Sequence, residues 1–224
     1  MAALSVSVPE ATPRAGRDLR GHRVPELNYP ARVLLVVAGI PGAGKTTLLK
    51  RLFPRPGVRL LDSEQARLRL SPYLGAVPYK YWRPLVHAAH YARLYRALRG
   101  PESVVVHESG TRAWATRLIT DAARRADRRT HLLLLDVDPA DALAGQEARK
   151  RRVRRSSFAT HVRKWRDLLG AVADPAHRIH QGVATITIID RPAAAALTAI
   201  RFDGLSLASS TAPAHPGPAL LRAA

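Results

Sequence analysis

The string Gly39-Ile40-Pro41-Gly42-Ala43-Gly44-Lys45-Thr46 constrains this chain more than any other eight residues in it. It follows the apolar run 33–38 and leads straight into Thr47-Leu48-Leu49-Lys50, so it joins a buried strand to a helix. Its glycines let the backbone curl until successive N–H groups point inward, and the helix adds its positive N-terminal end to the same anion site. In such a cradle Lys45 reaches the β- and γ-phosphates of ATP, or less readily of GTP, and the Thr46 hydroxyl binds Mg2+. The expected phosphate contacts are Gly39, Pro41, Gly42, Ala43, Gly44, Lys45, Thr46 and Thr47.

Four further short apolar runs, 58–61, 104–107, 131–137 and 185–189, also read as buried strands. Each is followed by polar or glycine-containing residues and then by helix-compatible sequence. Residues 84–98 have helical spacing, with Leu85, Ala88, Ala92 and Tyr95 on one stripe and Gly100-Pro101 as the stop. Alternating strand and helix predicts an α/β fold: a mostly parallel sheet, helices on both faces, and ligands beyond the carboxyl ends of the strands.

The regions outside 32–203 look different. Residues 1–31 mix Pro, Gly, Arg and small side chains without an apolar period, and 204–224 are similar, so a flexible arm and a disordered tail are expected around one working domain. With 224 residues and 46% hydrophobic side chains, one core of ordinary size is expected. No apolar run approaches the ~20 residues that cross a bilayer, and the N-terminus lacks the pattern of a secretory signal, so a cytoplasmic location without membrane contact is expected. The absence of cysteine excludes disulfides, thiolate metal sites and cysteine nucleophiles. Thirty-six Lys and Arg against 17 Asp and Glu give a formal charge of +19, which draws phosphate-rich partners such as nucleotides or nucleic acid; compositional drift toward Arg is the plainer alternative.

Carboxylates stand at the predicted strand ends. Asp62 and Glu64, after the second strand, could take a proton from a substrate hydroxyl or hold the water shell of Mg2+; either could instead serve the start of the next helix. Glu108, after the third, could act through water on the metal. Asp136 ends the fourth strand as a metal-binding aspartate would, but Asp136-Val137-Asp138-Pro139 reads better as a strand exit and helix start. Between residues 149 and 166 nine Lys and Arg occur without an acid, among them Arg149, Arg152 and Arg155; they form either a solvated basic face or guanidinium groups that close over a triphosphate. His87 and His90 lack zinc-protease spacing and read as ordinary helix histidines. Tyr79, Tyr81 and Trp82, interleaved with Lys80 and Arg83, could stack a base or pack against the sheet.

Taken together, the first strand with P-G-A-G-K-T-T, the E-x-x-R after the second, the E-S-G-T after the third and the L-D-V-D-P-A-D-A-L of the fourth resemble the P-loop kinases. The resemblance is to the polynucleotide kinase, zeta toxin and chloramphenicol phosphotransferase relatives, often labelled AAA-type ATP-binding domains, and it covers roughly residues 32–190. It implies a P-loop NTPase three-layer sandwich whose five parallel strands run in the order 2-3-1-4-5. It also implies a base and an acceptor-binding arginine at Glu64 and Arg67, with Glu in place of the usual Asp and Asp62 two residues earlier, so either carboxylate remains a candidate. A lid after the fourth strand would bring Arg149 and Arg152 or Arg155. The expected activity is transfer of the ATP γ-phosphate to a hydroxyl acceptor, a small molecule or a nucleic-acid end. The alternative is a nucleotide-dependent nucleic-acid-binding module or ATPase switch without transferase activity. A remodelling ATPase would need a ring interface and a second small domain, which the composition after residue 203 does not suggest.

Overall fold

The computed structural model describes residues 6–7, 16–53, 56–148, 153–174, 176–177, 179 and 181–202. In chain order the elements are β1 (Val6–Ser7), β2 (Gly16–Asp18), β3 (Glu26–Tyr29), β4 (Leu34–Ala38), α1 (Lys45–Leu52), β5 (Val58–Leu61), α2 (Ser63–Leu74), α3 (Tyr79–Leu98) and β6 (Ser103–His107). They continue with α4 (Ala113–Arg125), β7 (Thr130–Leu135), α5 (Pro139–Glu147), α6 (Arg155–Ala173), β8 (Thr185–Ile189), α7 (Arg191–Ala196) and β9 (Ala199–Phe202).

Leu-Leu-Val-Val-Ala in β4, Thr-His-Leu-Leu-Leu-Leu in β7 and Thr-Ile-Thr-Ile-Ile in β8 are buried at every position. Continuous burial rather than alternation is the mark of a parallel strand covered on both faces, and all the pairings are parallel. The six-stranded sheet runs β5-β6-β4-β7-β8-β2. The five strands expected from the sequence thus stand in the expected order 2-3-1-4-5, and the fold is the α/β sandwich of the P-loop NTPases. The difference is a sixth strand, β2, added beside β8. A second small parallel sheet, β1-β3-β9, carries Tyr29 and Phe202, which stack at 6.1 Å; Tyr29 also meets the buried His131 of β7 edge-on at 5.2 Å. Residues 16–29, read from the sequence as part of a loose arm, therefore hold two strands, whereas 204–224 lie outside the described residues.

α3 differs from its expected form in extent and in facing. It starts at Tyr79 and runs through Pro84, whose missing N–H removes one ladder bond near the start of a helix of 20 residues. Its buried side is Trp82, Val86, His90, Leu94 and Leu98, spaced four apart, while Leu85, Ala88 and Ala92 of the expected stripe face solvent. Small alanines give that stripe little area to bury, and the larger side chains decide the facing. Trp82 and Val86 pack with Ala66 of α2 in a cluster separate from the main core. Trp82 therefore joins two helices and does not pack the sheet, and its indole N–H donates to the Val77 carbonyl at 3.0 Å.

Candidate functional site

β4 lies between β6 and β7, so its carboxyl end opens at the middle of the sheet. The chain leaves it through Gly39 and enters α1 at Lys45. Gly42 and Gly44 have φ of 94° and 101°, a region that a Cβ disfavours, and Gly44 is the N-cap of α1. Space is restricted as well. A Cβ on Gly39 would stand 2.7 Å from the Leu135 carbonyl oxygen, and one on Gly42 would stand 2.0 Å from that of Ala142. The loop is thus clasped by the end of β7 and by α5. Gln146 of α5 strengthens the clasp by donating to the Pro41 carbonyl at 3.0 Å and accepting from the Val153 N–H at 2.9 Å. The Lys45 ammonium, 7% exposed as a residue, donates to the carbonyls of Gly39 at 2.6 Å and Ile40 at 3.0 Å.

The loop opens on a cleft of about 290 Å³ that takes in Lys45, Thr46, Ser63 and Glu108 together with a ring of imidazoles, His87, His90, His107 and His161. Three different elements deliver those histidines: α3 carries two, the end of β6 one and α6 one. Asp62 caps α2 by accepting from the Glu64 N–H at 3.0 Å, and its other oxygen lies 3.1 Å from His107 Nδ1. Burial alone would raise the Asp62 carboxyl, but the His107 hydrogen bond and charge, the Glu64 N–H and His90 together hold it below the usual carboxylate range. His90 is 1% exposed with neither ring nitrogen hydrogen-bonded, and burial lowers its basicity. His161 bonds the Thr111 hydroxyl at 3.0 Å, which continues to Ser109 at 3.1 Å, and Ser109 donates to Glu108. Burial, then the charges of Arg112, Lys164 and Lys45, makes His161 less basic.

Among the residues singled out in the sequence, Gly39, Pro41, Gly42, Gly44, Lys45, Thr46 and Glu108 line this one cleft. Asp62, Glu64 and Arg67 do not line it: Asp62 touches it only through His107, the charged groups of Glu64 and Arg67 meet at 3.5 Å on α2, and Arg67 lies 5.0 Å over the Tyr79 ring. Arg149 and Arg152 fall outside the described residues, and Arg155 is an exposed first residue of α6. Asp136 is held by Trp165 Nε1 at 2.9 Å and Arg20 Nη1 at 2.9 Å, so it ties α6 and the lead-in to the sheet, while the helix cap beside it is Asp138. Sequence reading missed Arg112, His107 and His161 as cleft residues, since neither spacing nor a motif joins them. Gly145 carried a usable signal: a lone glycine inside a helix marks a close approach, and a Cβ there would meet the Gly42 carbonyl oxygen at 2.7 Å.

Thr46 and Glu108 offer hard oxygen donors to one space, and among the described residues no group of three or more His, Asp and Glu could hold a metal alone. A Mg2+ ion suits such a set, because it takes its other ligands from phosphates and water. The glycine cradle fits phosphates for the reasons of space and φ already given.

The family model of the AAA domain matches residues 34–175, from the first residue of β4 to just beyond α6. The chain belongs to the AAA domain family. Among solved structures, this AAA domain is similar to a chain of the PezAT toxin–antitoxin system of Streptococcus pneumoniae, with 14% identity and a TM-score of 0.55 over 73% of this chain and 68% of that one. It is also similar to a candidate kinase from Chloroflexus aurantiacus (15% identity, TM-score 0.49, 71% of this chain and 85% of that one). A third likeness is to the tunicamycin resistance protein of Deinococcus radiodurans (21% identity, TM-score 0.40, 60% and 80%). No curated protein sequence matches it. The likeness to the PezAT chain concerns the fold alone, and the family match supports nucleotide binding by this AAA domain. Among the described residues no helix is long and apolar enough to cross a membrane.

Proposed function

We propose that the chain is an ATP-dependent phosphotransferase that moves the γ-phosphate of ATP to a hydroxyl acceptor. One observation carries the reading: the glycine cradle and the polar groups at the tips of β5 and β6 face a single cleft, so a triphosphate and an acceptor can meet there. The loop N–H groups and the α1 N-terminus hold the phosphates, and Lys45 exchanges its two carbonyl partners for β- and γ-phosphate oxygens. Thr46, with Glu108 acting through water, would hold Mg2+, which supplies charge neutralisation at the transferring group. Asp62 or Glu64 takes the acceptor proton. The contact between Asp62 and the cleft residue His107 favours Asp62, whereas Glu64 faces Arg67. In this scheme Arg67 would leave Glu64 and the Tyr79 ring to orient the acceptor, and the lid arginines Arg149 and Arg152 would close over the triphosphate.

Labelled γ-phosphate transfer from ATP, run against 5′-hydroxyl oligonucleotides, nucleosides, sugars, aminoglycosides and phenicols, tests the reading. One acceptor class should be labelled by the parent and none by Lys45→Ala. With that acceptor, Asp62→Asn should lower kcat by about 100-fold or more at nearly unchanged ATP affinity, and Glu64→Gln should lower it far less. The reverse ranking moves the base to Glu64. An unlabelled panel, with ATP bound, leaves an ATPase or a switch in place of a kinase.

A further inference from the structure

A second basic feature lies away from the cleft, where β5 forms one edge of the sheet. There α2 and α3 flank an open groove of about 650 Å³ lined by Arg59, Arg69, Arg93 and Arg96, with Leu68 and Gln65 between them and no carboxylate among the lining residues. Arg59 has a partner in Glu102 at 2.7 Å, but Glu102 stands outside the groove. Arg93 gives one guanidinium nitrogen to Gln65 at 2.8 Å, while its Nη1 is buried without a hydrogen bond. Burial, followed by the charges of Arg69 and Arg59, disfavours its protonated form, the signature of guanidinium groups gathered without an anion between them.

The same hairpin exposes aromatic faces. Gln65, Arg69 and Tyr73 are spaced four apart on α2, so the stripe that lines the groove continues one turn further to Tyr73, which is 85% exposed. Tyr81, at the start of α3, is 65% exposed with the Lys80 ammonium 4.7 Å over its ring. Two tyrosines held out in water, one of them under a lysine ammonium, bury little of their own apolar area.

We propose that the groove at the β5 edge and the tip of the α2–α3 hairpin form a binding site for single-stranded nucleic acid, with phosphates on Arg69, Arg93 and Arg96 and bases stacked on Tyr73 and Tyr81. An open trough suits a chain better than a small molecule, and four guanidinium groups lining it without a carboxylate suit a phosphodiester backbone. The tyrosines decide for single strands: a duplex hides its base faces and an acidic peptide has none to stack. The site adds a partner to the proposed kinase and does not depend on its chemistry.

Fluorescence anisotropy of the full chain with a labelled 20-nucleotide single strand, across a salt series, tests this site. The parent should bind with affinity that falls steeply with salt, and more tightly than it binds a duplex of the same length or heparin. Arg69→Ala with Arg96→Ala should weaken binding and lower the slope of log affinity against log salt by about 1.4. Tyr73→Ala with Tyr81→Ala should weaken binding by about 30-fold or more with the slope kept, and Tyr73→Phe with Tyr81→Phe should restore it. Lys45→Ala should bind the strand as the parent does, which separates this site from the phosphate cradle. Failure to bind the strand, equal binding of duplex or heparin, or full binding by the folded Tyr-to-Ala pair would overturn the proposal.

Discussion

Gly42 and Gly44 are two residues apart, have nearly the same positive φ, and answer to different constraints. A Cβ on Gly44 would meet nothing within 4 Å, so Gly44→Ala costs only the strain of a left-handed conformation, about 1–2 kcal/mol. A Cβ on Gly42 would overlap the Ala142 carbonyl oxygen at 2.0 Å, and that oxygen belongs to the backbone of α5, so the loop and the helix must separate. Gly42→Ala is therefore expected to lower the melting temperature more than Gly44→Ala and to weaken ATP binding by tenfold or more. Thermal denaturation and calorimetric titration of both variants check the ranking, and equal effects would show that α5 does not clasp the cradle. The Lys45 ammonium is fixed by the same turn, since its two carbonyl partners belong to Gly39 and Ile40.

At the scale of elements, Gln146 couples α5 to the loop at Pro41 and to the chain entering α6 at Val153, and it is 5% exposed. Gln146→Leu keeps an unbroken side chain at the position but leaves the Pro41 carbonyl and the Val153 N–H without their partner, a cost of about 2–6 kcal/mol for two groups. A lower melting temperature together with weaker ATP binding is the expected result; a variant as stable as the parent would contradict the coupling. None of this was legible in the sequence, because a glutamine in a helix has no pattern that names a partner 105 residues away. The five apolar strands were legible because each is a mostly apolar run bounded by turn residues, but the expectation that all are buried fails at β5, which lies at the sheet edge and buries only Leu61. β2 was not: its Gly-Arg-Asp has no apolar side chain, and it joins the sheet through backbone pairing with β8. The cleft was half legible. The glycine loop has a spacing that chemistry dictates, whereas His90, His107 and His161 come together only once the order of the strands and the facing of α3 are known.

For the whole molecule, the +19 charge now has places to act. Lys45 and Arg112 line the central cleft, and Arg59, Arg69, Arg93 and Arg96 line the groove at the sheet edge. Some of the cationic excess is structural. The buried Arg128 guanidinium donates to the carbonyls of Leu98 at 2.6 Å, Glu102 at 2.5 Å and Gly100, closing the turn between α3 and β6. Arg20 holds Asp18 and Asp136 near the β2 edge. Composition alone cannot separate such fixed arginines from those free to meet an anion. The central claim, that the turn from β4 into α1 binds the phosphates of ATP, is tested most directly by calorimetric titration of MgATP into the full chain and into Lys45→Ala. One site per chain is predicted, with affinity lowered by about 100-fold in a variant that melts as the parent does. A folded Lys45→Ala protein that binds MgATP as tightly as the parent, or a parent that binds none, would contradict it.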